Sequence, residues 1–184
     1  MHKIEAHGRL EREHLQHVVA IDRECFNQEP SSTAFAWAEL RPDMYNVLTF
    51  NGQVLGYGLV MPLTAFACEA LKRGEMSEEE LTLKYITSAS RCAGLYLASM
   101  ASTKRAGAII RSRLVGYTMG TVLRVPKEVF TIAVTTDGAS VAQELVGMSP
   151  SQYTGPLPGI NGYRPTLFCR LPRGMSSPAL VANS

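Results

Sequence analysis

The sequence predicts an α/β fold, and three stretches carry that prediction. YNVLTF, Asn51-Gly52 and QVLGYGLVM read as a β-hairpin, because an Asn-Gly pair accepts the positive φ angles of a tight primed turn. GLYLASMAS, TKRAGA and IIRSRLVGYTMGTV read as strand, basic loop and helix. VFTIAV, followed by TTDGASVAQELVGM, reads as a strand running into another helix. Strands interleaved with helices over 184 residues, 46% of them hydrophobic, fit one domain of packed layers with a substantial core.

The remaining elements follow from spacing and punctuation. Leu15, Val18, Val19, Asp22, Cys25 and Phe26 recur at three- and four-residue steps, which predicts a helix over 10–27 with one mostly apolar face, closed by Pro30. Ser31 and Ser32 offer caps for a second helix through Phe35, Trp37 and Leu40, ended by Arg41-Pro42. Pro62 is expected to end the second hairpin strand, and 64–73 reads as a helix stopped by Gly74. Ser77 with Glu80 forms a capping-box pattern, predicting a helix from Glu78 towards Ile86. Further on come a strand over 94–101, a long helix from Ala106 to Leu123, and a helix capped by Thr136 or Asp137 and stopped by Gly147. SPSQYTGPLPGINGY reads as loop and TLFCRL as a strand. The domain is expected to span 1–171, with 172–184 as a disordered tail.

Composition narrows the functional classes. A formal charge of +2 is too weak for a general nucleic-acid binder, while the basic cluster from Lys104 to Arg113 suits a locally anionic ligand. Cys25, Cys68, Cys92 and Cys169 are widely spaced, so reduced thiols are expected, Cys92 as a buried one. His14 and His17 stand three apart with no third ligand and read as exposed helix residues; no metal site is expected. With no apolar run near the ~18 residues of a membrane span and no secretory pattern at the N-terminus, a cytoplasmic protein without a membrane partner is expected.

Lys104 and Arg105 stand where cations do not ordinarily belong. A helix start carries unpaired N–H groups and about half a positive charge, so two cations there repel it unless an anion sits between them. The segment reads as a phosphate cradle.

IDRECFNQEPSSTAFAWAEL, the hairpin with GQVLGYGLV, the strand–loop–helix over 94–123 and FTIAVTTDGASVAQELVGM occur in an order that resembles the GNAT superfamily of acetyltransferases, over roughly 10–170. The resemblance implies a mixed, mostly antiparallel central sheet, splayed between two middle strands and flanked by helices. It implies acetyl-coenzyme A, or another acyl-coenzyme A, in the splay, and acyl transfer to a primary amine on a small molecule or peptide. Met100, Ala101, Lys104, Arg105, Ala106, Gly107, Ala108 and Ile109 would grip the pantetheine and diphosphate. A homodimer paired through C-terminal strands is one arrangement the family uses.

The chain departs from the family pattern in places. Thr103 and Ala106 occupy loop positions that are usually a long polar residue and Gly; this register leaves Ile109, Ile110 and Leu114 to pack inward. Gln143 stands where a Tyr often protonates the leaving thiolate, so Gln143 would bond the sulfur or pantetheine, and either the thiolate would leave unassisted or Tyr153 or Ser149 would donate the proton. The 94–101 strand has no carboxylate; Ser99 could order a water, and Glu29, Glu39 and Asp43 are candidate bases that read more simply as surface carboxylates. Gly107, Gly116 and Gly120 are expected to let the long helix approach the sheet, and 64–92 is an excursion that could shape the acceptor pocket, a lid or a dimer contact. Two other readings fit: a non-catalytic acyl-coenzyme A sensor, and an acyl-amino-acid or acyl-homoserine-lactone type of synthase with a longer acyl donor.

Overall fold

A computed structural model of the chain describes residues 3–26, 31–145, 147–153, 155 and 164–170. Its strands are β1 (Ile4–His7), β2 (Tyr45–Phe50), β3 (Gln53–Leu63), β4 (Gly94–Ser102), β5 (Glu128–Ala133), β6 (Ser149–Gln152) and β7 (Thr166–Arg170). They form one sheet in the order β1-β2-β3-β4-β5-β7-β6, in which β4–β5 is the parallel pair and every other pair is antiparallel. The helices are α1 (Leu15–Phe26), α2 (Ser32–Leu40), α3 (Ala65–Arg73), α4 (Ala108–Val122) and α5 (Thr136–Ser140), the last continued by a π turn over Val141–Leu145.

Local chemistry explains most of these boundaries. Asn51 and Gly52 have φ of 49° and 77°, as the primed turn between β2 and β3 requires. Ser31 Oγ accepts the Ala34 amide at the start of α2, and Thr64 caps α3 in the same way. Gly74, at φ 70°, ends α3.

One face of the sheet packs against α1, α2 and α3 and buries Val18, Ile21, Trp37, Tyr57, Leu59, Met61, Leu71, Tyr96, Phe130 and Ile132. The opposite face packs against α4 and α5 and buries Val60, Leu95, Leu97, Val115, Met119, Val122, Val129, Ala142 and Phe168. No helix in the described residues is long and apolar enough to cross a membrane.

Several expectations are corrected. Pro62 lies inside β3 rather than ending it: β2 reaches only as far as Leu59, and the Pro62 carbonyl accepts Thr87 N–H on that open edge, so its missing N–H costs the β4 ladder nothing. The capping box at Ser77 and Glu80 forms, yet 78–86 makes two 3-10 turns, Glu78–Glu80 and Leu83–Tyr85, instead of one helix. Fully buried Leu81 between them, its carbonyl bonded by Trp37 Nε1, holds the chain down on the core. Thr135, not Thr136 or Asp137, caps α5, its Oγ1 accepting Gly138 N–H at 3.0 Å. Ser149–Gln152, read as loop, is β6, paired with β7.

Gly116 and Gly120 face open space; it is the sheet's glycines that admit α4, since a Cβ on Gly58 would stand 2.5 Å from Thr118 Oγ1. His14, expected exposed, is buried in a 3-10 turn with its ring against His7. Within the segment read as loop, residues 154 and 156–163 lie outside the described residues, as do Glu29, Pro30 and the tail over 172–184.

Candidate active site

β4 and β5 pair over three positions only, Gly94 with Glu128, Leu95 with Val129 and Tyr96 with Phe130. Beyond them β4 runs to Ser102 with β3 on one side, while β5 turns to β7. The expected splay is therefore present, and it begins after Tyr96. Thr131 Oγ1 donates to the Leu97 carbonyl at 2.7 Å, closing the floor of the gap.

A bulge aims the chemistry within that gap. Leu59 pairs with Ser99 and Val60 with Leu97, so Ala98 is an extra residue in β4. Side chains alternate along a strand, and one inserted residue reverses the alternation. Ser99 thus faces the α1–α3 side, together with Tyr96, where strict alternation from Tyr96 would turn it towards α4.

The loop after β4 keeps open backbone groups. Gly107 is the N-cap of α4, and the amides of Gly107, Ala108 and Ile109 have no acceptor among the described residues. The Lys104 and Arg105 side chains are exposed, and Ala106 is buried beneath them. Arg111 braces the loop by donating from Nε to the Ala106 carbonyl at 3.2 Å. The Lys104 amide is already taken by Glu24 Oε1 of α1 at 3.1 Å. Ile109 does not pack inward as expected: it is 72% exposed on the first turn of α4, while Leu114 fills the inward position.

Two carboxylates stand on the α1–α3 face, each under a tyrosine. Tyr57 of β3 donates its hydroxyl hydrogen to Asp22 Oδ1 of α1, and the Tyr57 hydroxyl oxygen lies 3.1 Å from Ser99 Oγ. Burial pushes the Asp22 carboxyl up to about 6, against the Tyr57 hydrogen bond that favours its charge. Tyr57 itself is raised well above the ordinary phenol range by burial and by Asp22. In the second pair, Tyr96 of β4 donates to Glu78 Oε1; burial raises Glu78 and the Tyr96 bond opposes it. Tyr153 lies near Glu78, 4% exposed, its hydroxyl without a partner among the described residues and its acidity reduced by burial and by Glu78.

The catalytic candidates are therefore dispersed. Ser99 joins Tyr57 and Asp22, Tyr153 faces Glu78, and Gln143 lies exposed on the π turn after α5, with no hydrogen bond linking the three among the described residues. Met100 and Ala101 lie on the one-sided half of β4. Glu39 is a surface residue and Asp43 is held by Arg41 through two contacts of 2.9 Å, which lower its carboxyl, so neither is poised as a base. Sequence reading missed Asp22 and Glu78 as functional groups. Asp22 was marked as an acid on an otherwise apolar helical face, and that misplacement was its signal.

No known family profile matches the chain, and no curated protein matches it. Solved structures do. The mosquito arylalkylamine N-acetyltransferase like 5b is 10% identical at a TM-score of 0.62, with 92% of this chain and 100% of that one covered. Arabidopsis thaliana Naa50 in complex with the bisubstrate analogue CoA-Ac-MVNAL is 10% identical at 0.60, covering 91% and 97%. The GphF GNAT-like decarboxylase in complex with isobutyryl-CoA is 14% identical at 0.59, covering 92% and 98%. At such identities the likeness is one of fold: a seven-stranded, mostly antiparallel open sheet flanked by helices, the GNAT fold.

Proposed function

We propose that this protein transfers an acyl group, acetyl first among them, from an acyl-coenzyme A to a primary amine. The observation that carries this reading is the juxtaposition of one-sided β4 with the open start of α4. A pantetheine arm along Met100 and Ala101 pairs with the strand edge that β5 leaves. Its diphosphate meets the amides of Gly107, Ala108 and Ile109, flanked by Lys104 and Arg105, with Ala106 keeping the loop low beneath it. Gln143 bonds the pantetheine from the α5 side.

The chemistry needs one proton removed and one supplied. An alkyl ammonium, with a pKa near ~10.4, must be neutral before it attacks the thioester carbon, and a thiolate leaves as the C–S bond breaks. Tyr153 stays protonated under burial and the nearby Glu78, which suits it to donate to that sulfur. Ser99 meets the amine from β4. The acceptor is a small-molecule or peptide amine; the arylalkylamine enzyme and the Naa50 peptide analogue illustrate both kinds on this fold.

Calorimetric titration tests the reading. Acetyl-coenzyme A is expected to bind more tightly than acetyl-pantetheine, which lacks the diphosphate. Absence of binding by acetyl-coenzyme A would remove the proposal. Exposed Gln143 in place of a tyrosine favours a second reading, an acyl-coenzyme A sensor without turnover, and thiol release in the presence of amines separates the two.

A further inference from the structure

Resting on the acyl-transfer reading, we propose that Ser99, Tyr57 and Asp22 form a directed proton relay that deprotonates the acceptor amine, with Ser99 as the group that touches the substrate and Asp22 as the terminal proton acceptor.

Hydrogen counting fixes the direction. A phenol has one hydroxyl hydrogen, and Tyr57 gives it to Asp22 Oδ1. The contact of 3.1 Å to Ser99 Oγ must then be one in which Ser99 donates and Tyr57 accepts. With its hydrogen committed inward, Ser99 Oγ is left with lone pairs to accept an N–H from a substrate ammonium.

Transfer balances along this line. The ammonium gives a proton to Ser99 Oγ, Ser99 passes its own to Tyr57 Oη, and Tyr57 passes its own to Asp22, which becomes a neutral acid. The amine's lone pair then forms the C–N bond as the C–S bond breaks. The nitrogen sheds its second proton as the sulfur takes one up, and Asp22 returns its proton to solvent between turnovers.

Placement supports the assignment. α1 lies across the splayed half of β4, since Cys25 Sγ donates to the Ser102 carbonyl at 3.3 Å and Glu24 receives the Lys104 amide. Asp22 is thereby held over the stretch of β4 where the thioester would lie. Its surroundings are Tyr57 of β3, Tyr45 of β2, Cys25 and Glu24 on its own helix, and Lys104 beyond Cys25. Burial at that position keeps the carboxylate basic enough to accept a proton near neutral pH. The Glu78–Tyr96 pair is less suited, because Tyr96 sits on the last paired rung of β4 and β5 and stacks on Phe130.

The test measures thiol release from acetyl-coenzyme A with tyramine, spermidine and a short peptide bearing a free N-terminus, from pH 5 to 9, beside acetyl-coenzyme A calorimetry. Asp22→Asn keeps an acceptor for Tyr57 but cannot take the proton. It is expected to lower turnover by about a hundredfold or more and to erase an acidic limb near pH 6, with acetyl-coenzyme A affinity unchanged. Tyr57→Phe breaks the relay and should do the same. Hydroxylamine, already neutral at pH 7, needs no first deprotonation, so, with its uncatalysed attack on the thioester subtracted, both variants should lose far less enzymatic turnover with it than with the alkyl amines. The relay is overturned by wild-type turnover in Asp22→Asn, by equal impairment with hydroxylamine, or by a wild-type protein that binds acetyl-coenzyme A and acetylates none of the amines. Failure to bind acetyl-coenzyme A sinks the acyl-transfer reading instead.

Discussion

The face of the sheet under α4 and the face under α1–α3 are filled differently. Under α4 the core is mostly aliphatic, its buried polar side chains are the uncharged Thr118 and Asn46, and two sheet glycines, Gly56 and Gly58, let the helix settle closely. Under α1–α3 two carboxylates are held among Tyr57, Tyr96, Tyr45 and Phe130. Burying a carboxylate opposes folding unless donors meet it. Each tyrosine supplies such a donor, and in both cases burial still outweighs it, since Asp22 and Glu78 are both raised. A fold selected for stability alone would fill both faces as it fills the first. The contrast locates the proton chemistry on one face and leaves the other to position backbone.

Substitutions on the two faces should therefore fail in different ways. The largest effect belongs to the relay, where Asp22→Asn and Tyr57→Phe lower turnover by about a hundredfold while the folded protein persists; equal losses of turnover and melting temperature would blur the contrast. Under α4, Gly58→Ala places a methyl group against the buried, β-branched Thr118 and should destabilise by about 1–3 kcal/mol in a denaturant titration. A neutral result there would mean that α4 is loosely seated.

Stability against pH sharpens the comparison further. Asp22 has a folded value of about 6, above the usual unfolded one, so its favourable contribution is complete below about pH 4 and lost as pH rises through 6. The Asn variant has no such dependence. Its stability relative to wild type should rise from pH 4 to pH 8 by about 1–2 kcal/mol, after discounting for partial exposure. A variant both more stable and less active at pH 8 would show that the buried charge is kept for function. The smallest effect is expected at the cradle, where Lys104→Ala or Arg105→Ala should each weaken acetyl-coenzyme A binding by about threefold to tenfold, less at high salt.

What was legible in the sequence was local. The Asn51-Gly52 turn, the Ser31 cap and the Gly74 stop depend on residues within a few positions of one another, and the structure shows each. The misread segments are those decided from far away. The chain over 78–86 has helical signals but is held by Trp37 and by an Ile86–Leu63 bridge. β6 is exposed and polar and is a strand only because β7 offers it an edge. The site divides the same way: its basic loop was visible from charge at a helix start, whereas Asp22, Tyr57 and Ser99 are brought together across 35 and 42 positions of chain. No spacing rule links them.

Ala98 gives the site an unusual dependence on counting. Were β4 to run on without the bulge, with Ala98 paired to Leu59, composition and hydropathy would be untouched, yet every side chain of β4 beyond Ala98 would exchange sides. Ser99 would point at α4 and Met100 at Tyr57. In this chain the reactivity of a hydroxyl is set by whether the small residue just before it on its strand is paired or passed over.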